Sequence, residues 1–70
     1  MNINKRFGSN VRENRILKSI SQEKLANMSK IDRTYLPSIE KGKRKVSLEV
    51  AKRICDSLGI TLEDSISELK

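Results

Sequence analysis

The sequence predicts an all-α fold of five short helices in one domain over residues 1–70. Three observations predict it. Apolar residues recur at helical spacing. Residues suited to starting and stopping helices divide the chain at short intervals. Three Gly and one Pro are too few for a β protein with many tight turns.

The first helix is expected over residues 4–18. Phe7, Val11, Asn14 and Lys18 lie on one stripe with Ile3 just before it, and Asn14 interrupts the apolar face. Ile16 falls opposite Phe7 and is expected to face solvent. Ser21 is placed to cap a second helix over 22–28, because its hydroxyl can accept an otherwise orphaned backbone N–H. Asp32 does the same for a third helix over 33–41, and Ser47 for a fourth over 48–58. Thr61 opens a fifth over 62–68, with Asp64 as its capping-box partner. Gly42 and Gly59 stand where a left-handed residue would end a helix. The expected core is Phe7, Val11, Ile20, Leu25, Ala26, Ile31, Leu36, Ile39, Leu48, Ala51, Ile54, Cys55, Leu58 and Ile60.

Composition narrows the function. A 70-residue chain buries only about 60% of its unfolded surface, so a domain this small is marginal alone. Cys55 has no partner for a disulfide. With no His and one Cys the chain cannot build a zinc cage, so neither metal nor cofactor is expected. Oligomerisation remains as the supplement. A lone Cys, expected to be a core packer, and no recognisable signal peptide point to the cytoplasm. No apolar run approaches the roughly 20 residues of a membrane span. Residues 1–55 hold fourteen Lys/Arg against five Asp/Glu, net +9, whereas residues 56–70 are net −3. A basic body with an acidic end suits a polyanion on one face and another partner elsewhere.

The informative segment runs Ser21-Gln22-Glu23-Lys24-Leu25-Ala26, then Ile31-Asp32-Arg33-Thr34-Tyr35-Leu36, then Ile39-Glu40-Lys41-Gly42-Lys43-Arg44. Two short helices, over about 22–41, are joined by the turn Ser29-Lys30-Ile31. Small Ala26 permits their close approach, while Leu25, Ile31, Leu36 and Ile39 face inward. That arrangement lets the second helix, Asp32–Lys41, project into a DNA major groove.

These residues resemble the Cro and phage-repressor type of helix-turn-helix domain, the XRE family. The pattern spans residues 7–62 and includes Gly8, Val11-Arg12, Arg15, Ser47-Leu48 and Leu58-Gly59-Ile60 besides the segments above. More narrowly, Asp32-Arg33-Thr34-Tyr35 followed by Ile39-Glu40 and Arg44 is similar to the controller proteins of bacterial restriction–modification systems. The resemblance implies a compact five-helix lambda-repressor-like fold. It also implies a homodimeric transcriptional regulator that binds a pseudo-palindromic double-stranded DNA operator. Three departures stand out. Ser19 and Lys30 replace frequent glycines, and a left-handed Lys30 would carry roughly 1 kcal/mol of strain. Pro37 would be the fifth helical residue after an Asp32 cap, removing one backbone bond and widening the helix locally.

Roles follow from residue chemistry and family position. Arg33 can grip guanine O6 and N7 as a fork, and Thr34 can offer a hydroxyl or methyl. Tyr35 can stack or reach phosphate, Ser38 is a further base-edge candidate, and Arg44 matches the controllers' Arg. Lys41, Lys43 and Lys45 are placed to track phosphates. Gln22 holds the DNA backbone at the family's corresponding position. Arg15 and Glu40 are the family's structural ion pair, not DNA contacts. Val50, Leu62, Ile66 and Leu69 are apolar, lie late in the chain and exceed what the core can hold, which suggests subunit contacts. Glu23, an acid on helix 2, occupies the region through which some relatives contact RNA polymerase. The competing class is an antitoxin-type or phage-type repressor whose main partner is another protein. An enzyme is disfavoured, because no His, paired acid or Gly-rich phosphate loop is in place. Single-stranded RNA binding is disfavoured because Phe7 and Tyr35 are the only aromatics.

Overall fold

Side-chain caps set the start of four of the five helices. In the computed structural model, which describes residues 2–67, α1 is Ile3–Leu17, α2 Gln22–Ser29, α3 Leu36–Glu40, α4 Leu48–Leu58 and α5 Leu62–Ser65. Asn2, Ser21, Ser47 and Thr61 each accept a backbone N–H three residues on, at 2.9, 3.0, 3.2 and 3.0 Å respectively. Thr61 and Asp64 form the expected reciprocal capping box.

Left-handed residues follow four of the five helices. Gly42 and Gly59 have φ of 73° and 71°, and Ile60 N–H closes the end of α4 on Cys55 O at 3.0 Å. Ser19 and Lys30 adopt φ of 57° and 59° without the freedom of glycine. After Lys30 the Ile31 N–H returns to Ala26 O at 3.0 Å, so the turn between α2 and the next element is fixed by backbone bonds.

The third helix is shorter than its sequence suggests. Arg33–Tyr35 form a turn, and the α-helix begins at Leu36. The cause is Pro37, which has no N–H to return to Arg33 O, so the helical ladder cannot extend back through it. Tyr35 N–H bonds Asp32 O at 3.0 Å and Leu36 N–H bonds Arg33 O at 3.4 Å instead, both spanning three residues. Pro37 thereby occupies the first turn of α3, where a missing donor costs nothing, and the expected widening is absent. Asp32 caps this turn rather than the helix: its Oδ1 accepts from Thr34 N–H at 2.9 Å.

The core joins Phe7 and Val11 of α1, Leu25 of α2, Leu36 and Ile39 of α3, and Ile54, Cys55 and Leu58 of α4. Ala26 is also fully buried, while Ile20, Ile31, Ala51 and Ile60 pack half-buried around the cluster. Leu48 corrects the sequence reading, being 75% exposed. It shares the inward stripe of α4, but at the first position of the helix, beyond the edge of the packed elements. Helix α1 crosses α3 so closely that a Cβ on Gly8 would lie 2.1 Å from Ile39 O. Asn10, buried on α1, donates from Nδ2 to Ser65 O at 2.9 Å and Ser67 O at 2.8 Å. Ile66 and Ser67 N–H return only three residues, to Glu63 O at 3.3 Å and Asp64 O at 3.4 Å, so the α-helix ends at Ser65, short of the expected 68.

Candidate nucleic-acid interface

The frame of the site is a buried polar link. Arg15 on α1 donates from Nε to Glu40 Oε2 at 2.7 Å and from Nη2 to Glu40 Oε1 at 3.2 Å. Their side chains are only 13% and 3% exposed. The remaining Arg15 Nη1 donates to Ile20 O at 2.9 Å, holding the loop before α2. Gln22, at the start of α2, donates from Nε2 to Glu40 Oε1 at 3.0 Å. Glu40 therefore ties α1, α2 and α3 together through charge-assisted bonds, which fixes how α3 leaves the surface.

On that frame, Arg33, Thr34 and Tyr35 are all exposed in the turn that leads into α3, and Ser38 is half-buried one turn into the helix. Thr34 Oγ1 donates to Asp32 Oδ1 at 2.8 Å, which orients the hydroxyl and leaves its lone pairs as acceptors. The Thr34 backbone N–H, then its hydroxyl, then the nearby Arg33 charge hold the Asp32 carboxyl below its ordinary value. The carboxylate form, and with it the turn's cap, persists throughout the neutral range and is lost only as pH falls through that lowered value.

Arg33 Nη1 meets Glu23 Oε2 at 3.0 Å, and the Arg44 guanidinium lies 4.2 Å from the centre of the Tyr35 ring. The stack is of cation–π type, and it folds the cationic loop after α3 back against the turn before it. Lys41, Lys43 and Lys45 are exposed around Arg44. One exposed face thus combines a guanidinium, a hydroxyl and a phenol at its centre with a rim of cations.

The candidate subunit contacts do not form one patch. Val50 lines a cleft with Tyr35, Ile39 and Arg53. Leu62 and Ile66 line a separate apolar groove with Ile3, Phe7 and Leu48. Leu69 lies outside the described residues. The Arg33–Glu23 pair, the Arg44–Tyr35 stack, the Gln22–Glu40 bond and the exposure of Leu48 are not evident in the sequence. Glu23 stands out by its charge, but nothing in its spacing signals a partner ten residues away.

Two short helices joined by a fixed turn, with the second held outward by a buried ion pair, define a helix-turn-helix protein. The helix-turn-helix family model matches residues 11–65, and the chain belongs to that family. It is 44% identical over 66 residues to the control protein C.MunI of a Mycoplasma species, covering 93% of this chain and 89% of that protein. It is 45% identical over 64 residues to the control protein C.BamHI of Bacillus amyloliquefaciens, covering 90% of this chain and 79% of that protein. Among solved structures it resembles the restriction–modification controller protein C.AhdI of Aeromonas hydrophila. The TM-score is 0.83 at 38% identity, over 87% of this chain and 92% of that one.

Proposed function

We propose that the protein is a sequence-specific double-stranded DNA-binding regulator of a restriction–modification operon, acting as a homodimer on a pseudo-palindromic operator. The observation that carries the reading is the exposed Arg33–Thr34–Tyr35 turn, set on a rigid helix-turn-helix and rimmed by Lys41, Lys43, Arg44 and Lys45. Arg33 reads a guanine edge, with Thr34, Tyr35, Ser38 and Arg44 as further base-edge contacts. The lysines neutralise phosphates. Gln22 uses one amide hydrogen on Glu40 and keeps the second for a phosphate.

Two protomers meet through the groove bearing Leu48, Leu62 and Ile66, where Leu48 and Ile66 are 75% and 38% exposed. Burying such surface supplies what a domain this small lacks. The exposed position of Glu23 beside the DNA face supports an RNA polymerase contact as part of the same reading. Controller-like relatives favour operon control over an antitoxin role.

Footprinting the purified protein on DNA upstream of its own gene tests the proposal. Two protected half-sites with centres about 34 Å apart are expected. Absence of protection there contradicts operon control. Transcription from that promoter at saturating occupancy tests the polymerase contact: equal stimulation by wild type and Glu23→Gln removes it.

A further inference from the structure

Two acids flank Arg33, and they are used differently. Asp32 directs its Oδ1 to the N–H and hydroxyl of Thr34. Glu23 takes Arg33 itself, through Nη1 to Oε2 at 3.0 Å. We propose that Glu23 is a specificity-setting positioning residue that reserves Arg33 for a guanine edge, an inference that rests on the DNA-binding reading above.

The geometry of the guanidinium supports this assignment. The pair occupies one nitrogen. The Nε–H and Nη2–H edge makes no hydrogen bond among the described residues. That free edge is a planar two-donor fork, the arrangement that matches guanine O6 and N7. Glu23 stands in the first turn of α2 and Arg33 in the turn before α3, so two elements fix the direction of the fork. The Arg33 and Glu23 side chains are 68% and 61% exposed, so the pair contributes little to the stability of the fold. Its consequence lies in the choice of partner.

An unrestrained Arg at a DNA face can bond phosphate, and phosphate is present at every sequence. Such a contact raises affinity for random and operator DNA alike. With Glu23 in place, a move from the base edge towards phosphate must either break the ion pair or carry a carboxylate towards like charge. Bonding guanine through the free edge breaks nothing. Glu23 therefore lowers affinity for random DNA more than affinity for the operator, and it does so only through Arg33.

The test measures binding of the intact protein to the footprinted operator and to a random duplex, with no polymerase present. Wild type, Glu23→Gln, Arg33→Ala and the double variant are compared. Glu23→Gln is expected to reduce the operator-to-random affinity ratio by about threefold or more. In the Arg33→Ala background the same substitution is expected to shift both affinities together and leave the ratio unchanged. A ratio unaltered by Glu23→Gln overturns the proposal. So does an equal loss with and without Arg33, which would mean that Glu23 acts through charge alone. A wild type that binds operator and random DNA equally overturns the sequence-specific reading as well, whereas failure of the variant alone leaves that reading standing.

Discussion

Arg33 and Lys43 carry the same charge, yet they stand in different surroundings, and on the proposed reading they do different things. Arg33 pairs with Glu23 in the turn before α3, whereas Lys43 stands in the loop after it. Arg33→Ala should cost about 1–3 kcal/mol on the operator and relax preference at one base pair in each half-site. Lys43→Ala should weaken operator and random DNA about equally. Competition binding against single-base operator variants measures both, and the same loss of specificity from the two variants would refute the assignment. At this scale the sequence displays residue types well and partners poorly. Arg33, Arg44 and the lysines are legible because charge is written directly in the chain. Arg33–Glu23, Tyr35–Arg44 and Gln22–Glu40 are not, since helical spacing rules reach only three or four residues.

Helix starts were more legible than helix ends. Ser21, Ser47 and Thr61 cap where their chemistry places them, because capping is a contact between neighbours in sequence. The end of α5 is tied to Asn10, more than fifty residues away, through Ser65 O, and no local pattern announces that bond. Pro37 in the middle of a helix from Arg33 would widen it, but the helix instead begins at Leu36 and holds Pro37 in its first turn. What orients α3 is the Arg15–Glu40 pair, with both partners largely buried. Removing one charge strands the other, a loss on the order of 3–5 kcal/mol for a fully buried pair. Arg15→Ala should therefore lower the melting temperature without changing which operator is chosen, as read by thermal denaturation and footprinting together. A stable Arg15→Ala protein with altered operator choice would make Arg15 a DNA contact instead.

For the whole molecule, charge and apolar exposure divide the surface. Arg33, Lys41, Lys43, Arg44 and Lys45 gather in the turn before α3 and the residues after it, while Ile3, Leu48 and Ile66 leave an apolar groove open elsewhere. The groove was only partly legible, because Leu48 has the periodicity of a core residue and its exposure depends on where neighbouring helices stop. Leu48→Asp and Ile66→Asp should each favour monomers, since an unpaired charge in an apolar interface is costly. Sedimentation decides this, and unchanged dimers from both variants would place the interface elsewhere. The central claim, that the basic face reads a particular duplex, is tested most directly by affinity for operator and random DNA across a range of salt. If six or more phosphates are neutralised, affinity for both should fall by roughly a thousandfold or more between about 50 and 200 mM salt. The operator should remain at least ~1,000-fold tighter than random DNA throughout. A flat salt dependence, or equal affinity for the two duplexes, would contradict the account.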